Sequence, residues 1–526
     1  MNKGIRSENA ARNAAVSVGA RLTEQILAFV SRTVFIWFLS EEYLGVTSLF
    51  ANILNVLNLT ELGLATAINV ALYKPLAAGD KEKIKSFLKI YRTAYYFVGI
   101  AVLVIGVGLV PFLPYLMKGT TDVVNVTVVY LMYVAKNVLS YWLFAYKRSI
   151  LEADQQGYIL NVFSYGLQCV FKIVQIVLLF LFKSTPQLSF YIYCANDVVV
   201  SVCCNLAISS YVNKKYPFIK EKNVAPLSKS EKTDLVKNVY GVSLNRISAT
   251  LNGSADSIII SAFIGTVILG LYSNYLLLGE AVRKMLTLLF SSLVPSIGNL
   301  NVTESVEKKR KIFNTLHFAS FWINGFCVIC LWNLLNPFLV SVWLGSKFRL
   351  SNLVVFALCM NYLVDWLMGA PLQFRNACGL YWQSRYRAIV AILVNVALSI
   401  IAAKVLNWGI PGILLATIIS RLAVTLWVDT YLVHKHVLHT SPKPYFLKYF
   451  ASLALVIATG GLIKVICLWM PEDSILFFII RTFLCVLIPN LLWWLMFRKT
   501  KEFQFLLGFA KRIVHKVLKR NHKNAV

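Results

Sequence analysis

The chain has 526 residues, of which 58% are hydrophobic and only 14% are charged, whereas a soluble domain is about a quarter charged. This composition excludes a soluble enzyme, a disordered chain and a collagen-like chain, and the continuous apolar runs exclude a membrane β-barrel. The net charge of +29 would suggest nucleic acid as the partner of a soluble protein, but in a membrane protein it is typical of cation-rich cytoplasmic loops, so no nucleic-acid partner is expected.

The sequence predicts an all-α polytopic membrane protein with about fourteen transmembrane helices, because each apolar run is about 20 residues or longer. The predicted spans are 16–39, 43–71, 90–112, 122–146, 158–182, 188–211, 239–264, 267–298, 313–342, 351–373, 386–404, 410–433, 446–469 and 475–497. The first run is too long and too charged for a signal peptide, and no small-residue cleavage site follows it.

Cations are distributed unequally between the two sets of loops that these spans create. One set, which includes both termini, holds 37 Lys and Arg residues, and the other set holds 5. Because cytoplasmic loops carry the excess of Lys and Arg, both termini are predicted to lie in the cytoplasm.

The two halves of the chain show a weak internal repeat. A shift of 225 residues places Leu44-Gly45 on Leu269-Gly270 and Arg21 on Arg246. This pattern predicts two six-helix lobes related by a parallel repeat, with a cleft between them as in an alternating-access transporter. The predicted domains are an N-terminal lobe at 1–215, a cytoplasmic linker at 216–238, a C-terminal lobe at 239–440, two additional transmembrane helices at 441–500 and a tail at 501–526.

The tail at 501–526 alternates apolar and basic residues in a pattern typical of an amphipathic helix. Its phenylalanines and leucines can face lipid while its lysines and arginines meet anionic headgroups. Anionic lipids are therefore the predicted partners of this segment, and a calmodulin-like target is the remote alternative.

Ten cations lie inside predicted spans, apart from four at span ends that are counted with the loops, and a charge at such depth costs about 2.5–3.5 kcal/mol or more on insertion scales. Some can be buried salt bridges, such as Arg21 with Glu24 or Glu280 with Lys284, and Lys464 and Arg481 can extend to the membrane surface. The cations in the two lobes outnumber the anions, so the surplus is predicted to attract an anionic substrate such as a phosphate or pyrophosphate. The candidate substrate-binding residues are Arg21, Arg32, Arg246, Arg283, Lys284, Lys136 and Lys172.

No metal, cofactor or catalytic site is predicted. The ten cysteines lie in apolar runs or at their ends, and the histidines at 434, 436 and 439 lie at a helix end beside a lysine, where a solvated or headgroup-facing role is favoured over a metal site. The chain has no phosphate-binding loop for ATP and no arrangement typical of a hydrolase.

The segment 38–84 resembles the second-span region of bacterial polysaccharide flippases of the multidrug/oligosaccharidyl-lipid/polysaccharide exporter superfamily. Three features carry the resemblance: the Leu-Gly turn at 44–45, Glu-Leu-Gly at 61–63, and Leu-Tyr-Lys-Pro-Leu followed by Gly-Asp within 72–80. The resemblance implies an inner-membrane protein, not an enzyme, that moves undecaprenyl-pyrophosphate-linked oligosaccharides to the periplasmic leaflet for O-antigen, capsule or related polymers.

The resemblance also implies roles for individual residues. Arg21 and Arg283 match, by span and depth, the arginines that line the cavity in such flippases, whereas Asn52 and Asn55 stand where some relatives have an arginine on the second span. A proton or sodium ion is the implied coupling ion. The candidate ion-coupling residues are Asp256, Glu24 and Asp365.

Two alternatives stay open. A drug exporter of the same superfamily usually carries cations, which a cleft with surplus Arg and Lys would repel. A membrane-embedded polysaccharide polymerase or acyltransferase would be expected to show a large outer loop or an intramembrane histidine.

Overall fold

Side-chain caps mark where several of the long helices begin. Asp80 accepts a hydrogen bond from the backbone N–H of Lys83 at 3.0 Å, and Asn125 and Ser351 cap the helices that follow them in the same way. Such caps satisfy backbone donors that have no partner within the first turn of a helix. They are especially valuable in a protein whose apolar helices are otherwise specified only by hydrophobicity.

The computed structural model describes residues 19, 23, 25–58, 64–119, 124–154, 156–221, 224–228, 233, 253–508 and 511. In this part of the chain the regular structure is entirely helical, with no strand. The chain divides into two compact units, Met1–Ser273 and Asn274–Val526.

In its described part the first unit contains nine helices longer than five residues and the beginning of a tenth. They are α1 (Gln25–Phe38), α2 (Glu41–Leu57), α3 (Leu64–Ala78), α4 (Lys81–Gly108), α5 (Val126–Trp142), α6 (Arg148–Ala153), α7 (Gly157–Leu181), α8 (Pro186–Lys215), α9 (Gly253–Ile264) and α10 (Thr266–Ser291). Its core includes Leu49, Phe50 and Tyr130, all fully buried, and the rings of Phe50 and Tyr130 lie 5.2 Å apart.

The second unit contains the end of α10 and the helices that follow. They are α11 (Val294–Thr303), α12 (Val306–Trp343), α13 (Asn352–Leu367), α14 (Gly369–Ala377), α15 (Arg387–Val405), α16 (Gly409–Leu438), α17 (Lys443–Ile466) and α18 (Ile475–Phe497). The core of this unit contains aromatic side chains among aliphatic ones, and the ring of Phe321 lies 4.7 Å from that of the fully buried Trp493.

Nine helices in the described part of the chain are long and apolar enough to cross a membrane, and eleven if each of two bent pairs is one span. Large apolar side chains such as Trp37 and Trp469 are 70% and 94% exposed, as expected for surfaces that lipid covers. The predicted fold class, an all-α polytopic membrane protein, is therefore confirmed.

Three predicted spans, 16–39, 43–71 and 239–264, hold only shorter helices among the described residues, so the number fourteen stays a prediction. The predicted linker at 216–238 is described only at 216–221, 224–228 and 233. The predicted domain boundaries therefore stay predictions as well.

Candidate functional site

A cavity of about 810 Å³ lies within the first unit, between α5, α7 and α8, with further contributions from α3, α4 and α6. Its lining is strongly polar for a membrane-embedded bundle. Three cations and two carboxylates line it, namely Lys136, Arg148, Lys172, Glu152 and Asp197. A water-accessible space is the environment that charges at this depth require.

Two lysines that the sequence identified as substrate-binding candidates meet at this cavity. Lys136 on α5 lies 3.3 Å from a carboxylate oxygen of Asp197 on α8. Lys172 on α7 donates to the side-chain oxygen of Gln175 at 2.8 Å, and the Gln175 amide donates to Asp197 at 3.3 Å. Two lysines therefore share one carboxylate, and only Lys136 pairs with it directly.

Lys172 has neutral groups in direct contact with its ammonium. Besides Gln175, its Nζ lies 5.6 Å from the centre of the Tyr193 ring. A cation held in an apolar bundle by an amide and an aromatic face keeps most of its attraction for an anion. Lys172 is thus well placed to bind a negatively charged ligand in this cavity.

The opposite end of the cavity holds Arg148 and Glu152, both on α6. The Glu152 carboxylate accepts a hydrogen bond from Asn69. The Arg148 Nε is buried without a hydrogen-bond partner among the described residues. Arg148 lies just beyond the predicted span 122–146 and was therefore grouped with the loop cations, whereas the structure places it after the bend between α5 and α6, in the lining of the cavity.

Arg32 is half-buried on α1, and its guanidinium donates to the hydroxyl of Ser273. Tyr133 and Tyr193 interact electrostatically with both Arg32 and Asp197, so Arg32 lies in the surroundings of the lysine-bearing cavity. The candidates Arg21, Glu24 and Arg246 lie outside the described residues.

The remaining candidates for substrate binding lie on α10 in the second unit. Arg283 is half-exposed and pairs with Glu280 at 2.6 Å, whereas Lys284 is exposed. Glu280 therefore has Arg283 as its partner rather than Lys284, which the four-residue spacing favoured. Residues three apart lie on the same helix face, and the long arginine side chain reaches the carboxylate across this spacing.

The candidate coupling carboxylates lie in different units. Asp256 on α9 is 8% exposed within the first unit. Asp365 on α13, in the second unit, lies 3.6 Å from the guanidinium of Arg421, which also donates to the backbone carbonyl of Asn361 at 2.9 Å. Arg283 interacts electrostatically with Asp365, so the second unit has its own cluster of two carboxylates and two guanidinium groups.

A buried ionic group in the second unit was missed by sequence reasoning. Asp429 on α16 accepts hydrogen bonds from Arg375 at 3.0 and 3.3 Å and from Arg387 at 2.8 Å. Arg375 and Asp429 are 5% and 3% exposed. Both arginines lie at or just beyond the ends of predicted spans and were therefore grouped with the loop cations, although a lone aspartate inside an apolar run was a signal that a cation partner was required.

Arg481 corrects a second expectation. It was predicted to extend to the membrane surface, but it is 3% exposed and donates to the backbone carbonyls of Cys467 and Met470. It therefore bonds carbonyls just beyond the end of α17. Among the described residues, no group of three or more His, Cys, Asp or Glu side chains is arranged to hold a metal ion.

The structure is similar to several solved membrane proteins. It is similar to the lipid II flippase MurJ in an inward closed conformation, with a TM-score of 0.67 and 14% identity over 92% of this chain and 99% of that one. It is also similar to an inward-facing multidrug resistance MATE family transporter of the MOP superfamily, with a TM-score of 0.63 and 14% identity over 80% and 97% of the two chains.

A third similar structure is a MOP superfamily transporter from Pyrococcus furiosus, for which the reverse polarity of the binding pocket suggests a different function. Its TM-score is 0.51 at 13% identity, over 82% of this chain and 96% of that one. No family model and no curated protein matches the sequence. At these identities the comparisons establish the fold, which is that of MATE and MOP superfamily transporters and of MurJ.

Proposed function

We propose that this protein translocates undecaprenyl-pyrophosphate-linked oligosaccharide repeat units from the cytoplasmic to the periplasmic leaflet of a bacterial inner membrane. The observation that carries the proposal is the polar cavity of the first unit, where the ammonium of Lys172 is held by an amide and an aromatic ring, both neutral. The likeness of the fold to a lipid II flippase supports it.

The charge of the cavity favours an anionic cargo. Lysine and arginine bind phosphate oxygens through charge-assisted hydrogen bonds, and a surplus of cations raises the local concentration of anions. A lipid-linked sugar diphosphate carries the negative charge close to its sugars, while its prenyl tail stays in the bilayer. Alternating access then moves the polar part across without exposing it to lipid.

The sequence candidates have proposed roles in this cycle. Arg21, Arg246 and Arg283 neutralise the diphosphate, and the other cations, Arg32, Lys136, Lys172 and Lys284, attract and hold the headgroup. Asp256, Glu24 or Asp365 takes up a proton or a sodium ion in the return step. The proposed frame is two six-helix lobes at 1–215 and 239–440, with cytoplasmic termini and a tail at 501–526 bound to anionic lipids.

The main alternative is a multidrug exporter, because a MATE transporter has a similar fold. The cavity of the first unit argues against it, since its surplus of positive charge would repel the cationic compounds that such exporters usually carry. A polymerase or acyltransferase would need an acid–base or nucleophilic group in contact with substrate, and no observation favours one here.

Transport in reconstituted vesicles tests the proposal. Undecaprenyl-diphosphate-linked oligosaccharide is loaded into the vesicles, and its exposure is followed by oxidation with membrane-impermeant periodate. We expect Lys172→Gln to slow translocation at least tenfold, because the neutral amide leaves the cavity without its surplus charge. Lys183→Gln is the matched control, since Lys183 lies just beyond the end of α7.

The same vesicles are tested with the cation ethidium. Movement of ethidium without movement of the oligosaccharide would replace the proposal by the drug-exporter alternative. Equal rates of oligosaccharide transport in the Lys172→Gln and Lys183→Gln proteins would show that the charge of Lys172 in the cavity is not needed for transport, which would contradict the proposal.

A further inference from the structure

One face of helix α7 is polar along most of its length. The polar residues follow each other at steps of three or four, which places them on a single helix face. They are Asn161, Ser164, Gln168, Lys172 and Gln175. At 1.5 Å per residue this polar face extends for about 21 Å, a large part of the roughly 30 Å hydrocarbon core.

Helix α8 presents a second polar face to the same space. Asn196, Asp197, Ser201 and Asn205 of α8 line the cavity together with Asn161, Ser164 and Gln168 of α7. Most of these groups are neutral amides and hydroxyls, each able to donate and to accept hydrogen bonds. The two faces therefore form a groove of hydrogen-bonding groups with a few charges in it.

Several of these groups are not used by the fold. Within the part of the chain that the structure describes, the side chains of Ser164, Gln168 and Ser201 make no hydrogen bond to the protein, and Tyr165 makes none either. Polar side chains in a membrane bundle are costly unless they meet water or a ligand. Packing does not explain them, because an apolar residue at each position would suit a helix that only faces its neighbours.

We infer that this groove is a saccharide-binding site contained within the first unit, formed by Ser164, Tyr165, Gln168 and Ser201. A sugar offers hydroxyls that donate and accept, together with an apolar ring face that packs on a tyrosine. A cavity of about 810 Å³ is within the usual range for sites that enclose a drug-sized ligand, which suits a short oligosaccharide. The inference rests on the proposed function, since it identifies where the sugars of the lipid-linked substrate bind.

Photo-crosslinking in cells tests the inference, because it captures whichever sugar the cell supplies. The photoreactive residue p-benzoylphenylalanine is introduced at position 168 in the full-length protein, and at position 170 as the control. Val170 is on the same helix, is 56% exposed and does not line the cavity. After irradiation, the protein is digested and the adducts are identified by mass spectrometry.

We expect adducts with hexose or hexosamine masses at position 168 and lipid adducts alone at position 170. Position 201 on α8, with position 199 as its control, repeats the test if the variant at 168 fails to fold. Val199 is 48% exposed and lies outside the cavity lining. Sugar-free adducts at both cavity positions, or equal sugar adducts at the cavity and control positions, would overturn the inference.

The outcomes separate this inference from the proposed function. If the vesicles translocate the lipid-linked oligosaccharide but both cavity positions give only sugar-free adducts in cells, the saccharide site is contradicted and the proposed function is not. Sugar adducts confined to the cavity positions of a protein that translocates no lipid-linked oligosaccharide would contradict the proposed function and support the saccharide site.

Discussion

Individual charges within the spans divide into those that the fold neutralises and those that it leaves available. Asp429 has two arginine partners, and Arg481 has two backbone carbonyls. Lys172, in contrast, has an amide and an aromatic ring. The sequence rule that an intramembrane charge faces a cavity or a partner made Lys172 a candidate, but the rule does not say which of the two cases applies.

Removal of the Asp429 carboxylate should strongly destabilise the second unit. Asp429→Asn leaves the guanidinium groups of Arg375 and Arg387 buried side by side without a counter-charge, and the loss of one partner from a buried ion pair costs about 3–5 kcal/mol. We expect a large fall in melting temperature, measured by loss of the monodisperse peak in size-exclusion chromatography after heating in detergent.

Asp473→Asn makes the same chemical change at an aspartate on the surface, between α17 and α18, and serves as the control. Its melting temperature should stay close to that of the unchanged protein, because surface charges contribute little to stability. Equal melting temperatures for the two variants would mean that Asp429 is not the required counter-charge of the two arginines.

Among the helices, the repeated Leu-Gly motif has a direct structural consequence. Gly45 on α2 and Gly270 on α10, which the 225-residue shift superimposes, pack against each other's helices. A Cβ at position 45 would lie 2.0 Å from the carbonyl oxygen of Thr266, and one at position 270 would lie 2.4 Å from that of Glu41. The two copies of the motif therefore allow two helix backbones to approach more closely than any larger residue permits.

Gly45→Ala should separate these helices and lower stability by about 1–3 kcal/mol, the usual cost of overpacking. The control is Gly166→Ala on α7, where a Cβ meets no atom within 4 Å and alanine favours the helix. The melting temperature should fall in the first variant and stay equal or rise in the second. A Gly45→Ala protein as stable as the Gly166→Ala protein would contradict the tight contact.

The apolar runs predicted the positions of the helices better than the positions of the bends within them. The run at 122–146 was predicted as one span, but α5 ends at Trp142 and Phe144 adopts a left-handed φ of 62° before α6. The predicted span at 351–373 is similarly the pair α13 and α14, bent by 40°. The hydrophobicity of the sequence indicates how much of the chain lies in the bilayer. A bend depends instead on the neighbours against which the backbone packs, so the bend leaves no signal in the hydrophobic pattern.

At the scale of the whole molecule, the sequence predicted the fold class because the bilayer restricts the possible folds. Only helices satisfy every backbone group within lipid, so long apolar runs specify an all-α protein directly. The candidate site was predicted only in part. Two of the candidates, Lys136 and Lys172, line one cavity. The cavity is formed by the polar faces of α7 and α8, and the sequence does not show that these two faces lie opposite each other, because that depends on how the helices pack.

The proposed orientation of the molecule determines which end of that cavity would receive the proposed substrate. With both termini in the cytoplasm, as the excess of cations in one set of loops predicts, position 307 lies on the cytoplasmic side and position 184 on the periplasmic side. The end of α7 at Gly157 is then cytoplasmic, so the polar face begins there with Asn161 and reaches Lys172 deeper in the membrane. A headgroup that enters from the cytoplasm would meet Arg148, Glu152 and the neutral groups at the start of α7 first, and Lys172 afterwards.

Single cysteines in a cysteine-free protein test this orientation. The cysteines are introduced as Ser184→Cys and Glu307→Cys, because both residues are exposed and close to helix ends. A membrane-impermeant maleimide then reports which cysteine faces the outside of intact cells. We expect Ser184→Cys to react in cells whose outer barrier has been removed, and Glu307→Cys to react only after the inner membrane is permeabilised. The reverse pattern would place Lys172 nearer the cytoplasmic entry than Asn161, which would contradict the proposed orientation with both termini in the cytoplasm.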